Sequence, residues 1–229
     1  RTLISLRHTR VGFVASQVVT GEIYLPTHSA LFMDAAQYSS SSLVQTFYMP
    51  LLDRIQALPG TQSAGLTTVR PLEGNWDFNM NVEIANHPKP ERSSQAYAQA
   101  RGTSSSYFTT MGIRLLRGRF FATTDSADAP PVAIVNHAFV KRFLSNEDPI
   151  GQQLRFNDKG KRQWSTIVGV VDDSPQKALG QPPLPEIHYN LAQLLPEDDL
   201  YPILGTFYMN VAIRSPLAPQ TIAGELRRV

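Results

Sequence analysis

The chain has 229 residues, a formal net charge of +2 and no cysteine. That length allows one large domain or two small ones with an adequate core, and the missing cysteines remove disulfide frameworks, zinc-thiolate sites, iron–sulfur clusters and cysteine nucleophiles together. Charge this balanced does not argue for nucleic acid, and no apolar run approaches the ~18–20 residues of a membrane span.

No charged-then-apolar leader opens the chain, so no signal peptide is expected. Residues 1–13 set Arg1, Arg7 and Arg10 among Leu3, Ile4 and Leu6. This predicts a solvated amphipathic turn, with a juxtamembrane segment as the alternative. Residues 17–25 are rich in β-branched residues and predict a strand ended by Pro26. Ser39 to Ser42 offer N-caps for a helix whose Leu43, Phe47, Leu51, Ile55 and Leu58 recur at helical spacing. Pro50 should kink that helix or mark its first turn, and Pro59-Gly60 stops it. Residues 63–69 form the next strand, giving a β-α-β beginning.

Strands are expected over 78–84 and 96–102, with a turn at 87–90. Ser104 to Ser106 cap a short helix through Met111, with Gly112 as its stop. Residues 113–121 are apolar but carry Arg114, Arg117 and Arg119. After a loop over 122–131, Val132 to Val135 read as a buried strand and His137 to Phe143 as an amphipathic helix. Asp148-Pro149-Ile150-Gly151 is a turn, 153–156 a strand, 158–161 a hairpin loop and 164–171 the most apolar strand. Pro182, Pro183 and Pro185 stiffen the link into a strand at 187–189. An acidic connector over 196–202 leads to a strand at 207–213 and a helix from Thr221. The chain stops inside that helix, so a piece of a longer polypeptide is expected.

Chemistry was sought in four places. No two of His8, His28, His87, His137 and His188 have the i, i+4 spacing of a helical metal site. Neither a Gly-x-Ser-x-Gly elbow nor a phosphate-cradling Gly-rich loop is present. Asp172-Asp173 ends an apolar strand, where sites often sit, but adjacent strand residues point to opposite faces. A strand-end turn serving local backbone N–H groups is the favoured account. Phe120-Phe121 beside Gly118 read as core anchors rather than base-stacking rings. Residues 101–162 carry ten Lys/Arg against five Asp/Glu, and residues 172–201 six acids against Lys177. Arg114, Arg117 and Arg119 are the candidates for a partner-facing strip; no catalytic, cofactor-binding or metal residue is assigned.

The middle of the chain carries an ordered motif set. It runs Tyr107-Phe108-Thr109-Thr110-Met111-Gly112-Ile113, Leu115-Leu116-Arg117-Gly118-Arg119-Phe120-Phe121, Asp125, Val132-Ala133-Ile134-Val135-Asn136, Phe143, Asp148-Pro149-Ile150-Gly151 and Leu154. Trp164, Ile167-Val168-Gly169-Val170-Val171-Asp172-Asp173, Pro185-Glu186-Ile187-His188-Tyr189 and Gln193 complete it. This order resembles the periplasmic core domain of MacB/FtsX-like ABC transporter permeases, most of all the acidobacterial orphan permeases. Val11-Gly12-Phe13 resembles the stretch just after the first membrane helix, and Leu58-Pro59-Gly60 the end of the first helix.

The resemblance implies an α+β fold in two parts. A porter-like β-α-β subdomain comes from residues 1–90 and a truncated return at 200–229; an inserted mixed α/β, Sabre-like subdomain spans 91–199. It implies a non-catalytic, periplasmic domain that couples ATP-driven movement of transmembrane helices to substrate export or to a periplasmic partner. No cofactor is expected in the domain, ATP being used by a separate cytoplasmic ATPase. The implied partners are a second permease copy or pseudo-copy, that ABC ATPase through the membrane part, and a periplasmic adaptor; no nucleic acid is implied, and the isolated domain is expected to be a monomer. The alternative is a soluble periplasmic ligand-binding or hydrolase-like domain using Asp172, Asp173 and His188.

Overall fold

A computed structural model describes residues 11–23, 43–73, 79–88, 97–156, 163–194 and 209–227. The expected caps at 39–42, the hairpin loop at 158–161 and the acidic connector lie outside these residues, wholly or in the main. The fold is mixed α and β with few helices. Ten strands are described: β1 (Val18–Ile23), β2 (Ser63–Thr67), β3 (Asn79–Ile84), β4 (Tyr97–Thr103), β5 (Leu115–Gly118), β6 (Val132–Asn136), β7 (Gln153–Phe156), β8 (Ser165–Val171), β9 (Glu186–Asn190) and β10 (Met209–Arg214). The α-helices are α1 (Met49–Gln56), α2 (Tyr107–Met111), α3 (His137–Phe143) and α4 (Pro219–Leu226).

The first helix departs only in part from its expected face: Leu43 and Ile55 are buried and Leu51 and Leu58 pack against the core. A π-helical turn over Val44–Tyr48 precedes α1, and the wider turn delays the phase by about one residue. Val44, Tyr48, Leu52 and Ile55 are therefore buried, while Phe47 is 37% exposed. Pro50 stands at the second position of α1, directly after the π turn, inside a continuous helical stretch whose wide turn gives way to α-helix there.

Strand pairing builds two connected arrays. In one, β1 and β2 flank β10, both antiparallel to it. In the other, β4 pairs β3, β3 pairs β7, β7 pairs β8, β8 pairs β6, β6 pairs β9 and β9 returns to β4, so six strands close a ring. β5 adds to β8 outside this circuit. The arrays meet at a narrow seam, where Thr67 of β2 is registered with Thr103 of β4. Thr68 N–H donates to Gly102 O and Gly102 N–H to Thr68 Oγ1, both at 3.0 Å. Ser104 N–H donates to Leu66 O and Leu66 N–H to Ser104 Oγ, both at 2.9 Å.

Period-2 alternation, interrupted once by a bulge at Val168 of β8, sorts the ring's side chains. Val82 and Ile84, Ala98 and Ala100, Ala133 and Val135, Leu154 and Phe156, Ile167 and Val170, and Ile187 and Tyr189 share one cluster that continues beneath α1. Opposite neighbours such as Val132, Ile134 and Val171 pack with Tyr107, Phe108 and Met111 of α2 in a second cluster. β6 is buried on both faces, which is why its sequence shows no polar alternation. α2 lies flat on β2 at Gly65, where an added Cβ would sit 2.4 Å from Tyr107 Cα.

Candidate functional site

β5 and its flanks place Arg114, Arg117 and Arg119 within reach of three separate carboxylates. Arg114 donates to Asp172 at 2.8 Å, Arg117 to Asp148 at 2.8 Å, and Arg119 makes a fork on Asp125 at 2.6 and 2.9 Å. Asp125 is buried, and the Arg119 hydrogen bond, joined by the Ala122 N–H, holds its carboxyl below the usual range. The Arg114 and Arg117 pairs are exposed and worth little individually. The three arginines thus keep a surface position while each is committed to an acid of its own chain.

A second set of polar residues includes only one sequence candidate, His188. Gln99, Arg101 and Thr103 alternate along β4 and face the register partners Glu186, His188 and Asn190 of the parallel β9. All six are buried. Arg101 Nε donates to Glu186 at 3.0 Å, Arg101 also bonds Gln99, and Thr103 Oγ1 lies 3.0 Å from His188 Nδ1. Phe108 meets the His188 ring edge-on at 5.0 Å. Burial pushes His188 down to about 3, helped by the Arg101 charge, and raises Glu186 above the usual carboxylate range despite Arg101. Among the described residues Arg101 Nη1 has no partner, and Arg101 lines a cavity of about 10 Å³, about the room for one water. The signal was legible as matched polar alternation on two strands otherwise made of Ala, Gly, Ile and Tyr.

The adjacent acids Asp172 and Asp173 diverge. Asp172 serves Arg114. Asp173 Oδ1 accepts the Ala138 N–H at 2.8 Å, in the first turn of α3, with His137 Nδ1 3.6 Å from its other oxygen. Its pKa is raised, chiefly by burial. His188 is occupied by Thr103 on the other stripe. Phe120 stacks on Phe108 at 5.4 Å, and Phe121 is buried beside them, as core anchors should be.

Solved structures share the architecture. The periplasmic region of MacB from Actinobacillus actinomycetemcomitans superposes with a TM-score of 0.60 at 14% identity, covering 98% of this chain and 86% of that one. The extracellular domain of the noncanonic ABC-type transporter YknZ from Gram-positive bacteria gives 0.55 at 14% identity over 92% and 91%. A domain of a putative permease from Porphyromonas gingivalis gives 0.51 at 14% identity over 77% and 72%. At this identity the likenesses show a shared fold. The profile of the MacB-like periplasmic core domain matches residues 13–229, and the chain belongs to that family, with a periplasmic location. The macrolide export ATP-binding/permease protein MacB of Aggregatibacter actinomycetemcomitans is 26% identical over 115 residues, 50% of this chain and 14% of that protein. The chain therefore spans a small part of that relative.

Proposed function

We propose that this chain is the extracytoplasmic domain of an ABC permease and couples the movement of membrane helices, driven by a cytoplasmic ATPase, to export or to a periplasmic partner. The observation that carries this reading is the pairing of the first and last described strands: β1 runs antiparallel to β10, with Val18 opposite Arg214. The chain thus arrives and returns side by side, as a domain inserted between two membrane spans requires. In this reading 1–90 and 200–229 form a porter-like part and 91–199 the inserted part. A second permease copy or pseudo-copy and a periplasmic adaptor are its partners, and the domain moves rather than catalyses. The parent reading frame gives the test: it must carry an apolar span of about 20 residues on each side. The chain has no cysteine, so in a parent protein cleared of any other cysteines one introduced at exposed Thr20 reports sidedness. An impermeant maleimide should label it from the periplasm; labelling only after the inner membrane is opened, or the lack of either span, overturns the reading.

A further inference from the structure

Arg214, the last residue of β10, spends its guanidinium on main-chain oxygens. Nε donates to Thr110 O at 2.9 Å, Nη1 to Ser16 O at 3.0 Å and Nη2 to Val14 O at 3.0 Å. Among the described residues no carboxylate pairs with it. Two backbone bonds reinforce the arrangement: Val14 N–H donates to Met111 O at 2.8 Å and Ser215 N–H to Gln17 O at 2.9 Å.

The end of α2 shows what the arrangement accomplishes. A helix leaves its last four carbonyls without partners. Here Phe108 O receives Ile113 N–H and Thr109 O receives Gly112 N–H, locally. Thr110 O and Met111 O are served by Arg214 and by Val14, from opposite ends of the chain. Gly112 turns at φ +67°, and a Cβ there would stand 2.8 Å from Val14 Cγ2, so the turn leaves room for the incoming segment. Residues 14–17 are all exposed. Hydrogen bonds, not apolar burial, therefore hold this stretch in place. Only an arginine offers enough rigidly spread donors for three carbonyls at once; a lysine is a point charge on a flexible stem.

We propose that Arg214 is a latch that locks the lead-in segment, residues 14–17, to α2 and β10 as one rigid unit, so that displacement of the chain ahead of Val14 is delivered to both elements. Its purpose rests on the permease reading; the latch itself does not.

Amide exchange followed by NMR on the 229-residue chain tests it with Arg214→Met and Arg214→Lys. The Val14 amide should exchange at least tenfold faster in R214M and by an intermediate factor in R214K, with the β6 amides unchanged. Val14 protection equal to wild type in R214M overturns the latch. If R214M loses protection in β6 as well, R214K decides: faster exchange at Val14 with β6 intact supports the latch, and unchanged Val14 overturns it. In the parent permease with its ATPase, spin labels at S16C and T109C should keep one narrow separation with and without a non-hydrolysable ATP analogue, and broaden in R214M; broadening already in the unmutated parent overturns the latch. Should the analogue move no part of the domain while Val14 still loses protection in R214M, the latch stands and the permease reading falls.

Discussion

Among single residues, the buried Arg101–Glu186 pair carries the largest stake, because removing one partner strands a charge in the interior. Glu186→Ala should cost about 3–5 kcal/mol in urea unfolding, and Glu186→Gln, which strands the same Arg101 charge while keeping an acceptor, nearly as much; a negligible loss in Glu186→Gln would mean that charge is not the issue. His188 makes stability depend on pH. Its folded pKa, about 3, lies below the ordinary 6.5, so the unfolded chain binds the proton first. The stabilisation is complete above about pH 6.5 and is lost as pH falls toward 3, by at most about 1.4 kcal/mol per unit. Glu186, shifted upward, opposes this slope above its ordinary 4.5. His188→Gln should flatten the fall in urea midpoint between pH 7 and pH 5; a fall parallel to wild type would put its origin elsewhere. On the surface strip the arginines should separate. Charge reversal at Arg119 exposes the buried Asp125 to a like charge and should cost about 1–3 kcal/mol, whereas reversal at Arg114 or Arg117 should leave the melting temperature nearly unchanged. A partner-facing role then shows as weakened assembly in those two variants alone. The strip was visible in the sequence because like charges cluster there; its acids were less so, since Asp125 is local to Arg119 but Asp148 and Asp172 lie 31 and 58 residues beyond their arginines.

At the level of elements, local chemistry and tertiary demand part company in instructive places. Asn136 caps α3 by accepting Phe139 N–H at 2.9 Å, and the same oxygen accepts Glu186 N–H at 2.9 Å while Nδ2 donates to Leu184 O. One side chain thus joins β6, α3 and β9. Asn136→Ala should cost about 2–4 kcal/mol, a lost cap plus an unanswered buried N–H; a loss below 1 would show that water replaces it. The serines before α2 predict a capping hydroxyl, yet Ser106 makes no such bond and Ser104 is recruited to the seam instead. Strand positions were readable because β-branched runs and turn residues mark them. The buried face of the first helix was readable only in part, because the π turn that shifts its phase answers to packing, and a one-residue phase change leaves no trace in apolar spacing. Ring closure was equally hidden: β4 meets β9 about 85 residues onward, and no local pattern names that partner.

For the whole molecule, the seam between the two arrays sets how they hold together. Thr68 and Ser104 are buried and each answers a main-chain N–H across it. The double variant T68V/S104A should leave both donors unsatisfied, at about 1–3 kcal/mol each, and exchange at Ala212 and Ile213 should then accelerate ahead of Ile134 and Val135. Uniform acceleration would mean that the arrays unfold as one. The β1–β10 pairing reaches further, into the order in which the molecule is born. Val14 and Arg214, which it brings together, stand 200 residues apart. A growing chain emerges N-terminus first, so every strand of the ring is made before β10 exists. β1, with Val18, Val19 and Ile23, must wait with no neighbour while the ring condenses, and non-local pairing of this kind is slow. The earliest of the described strands is thus the last whose described partner is made, and through that interval its apolar residues stand open to chaperones and to other copies of the chain.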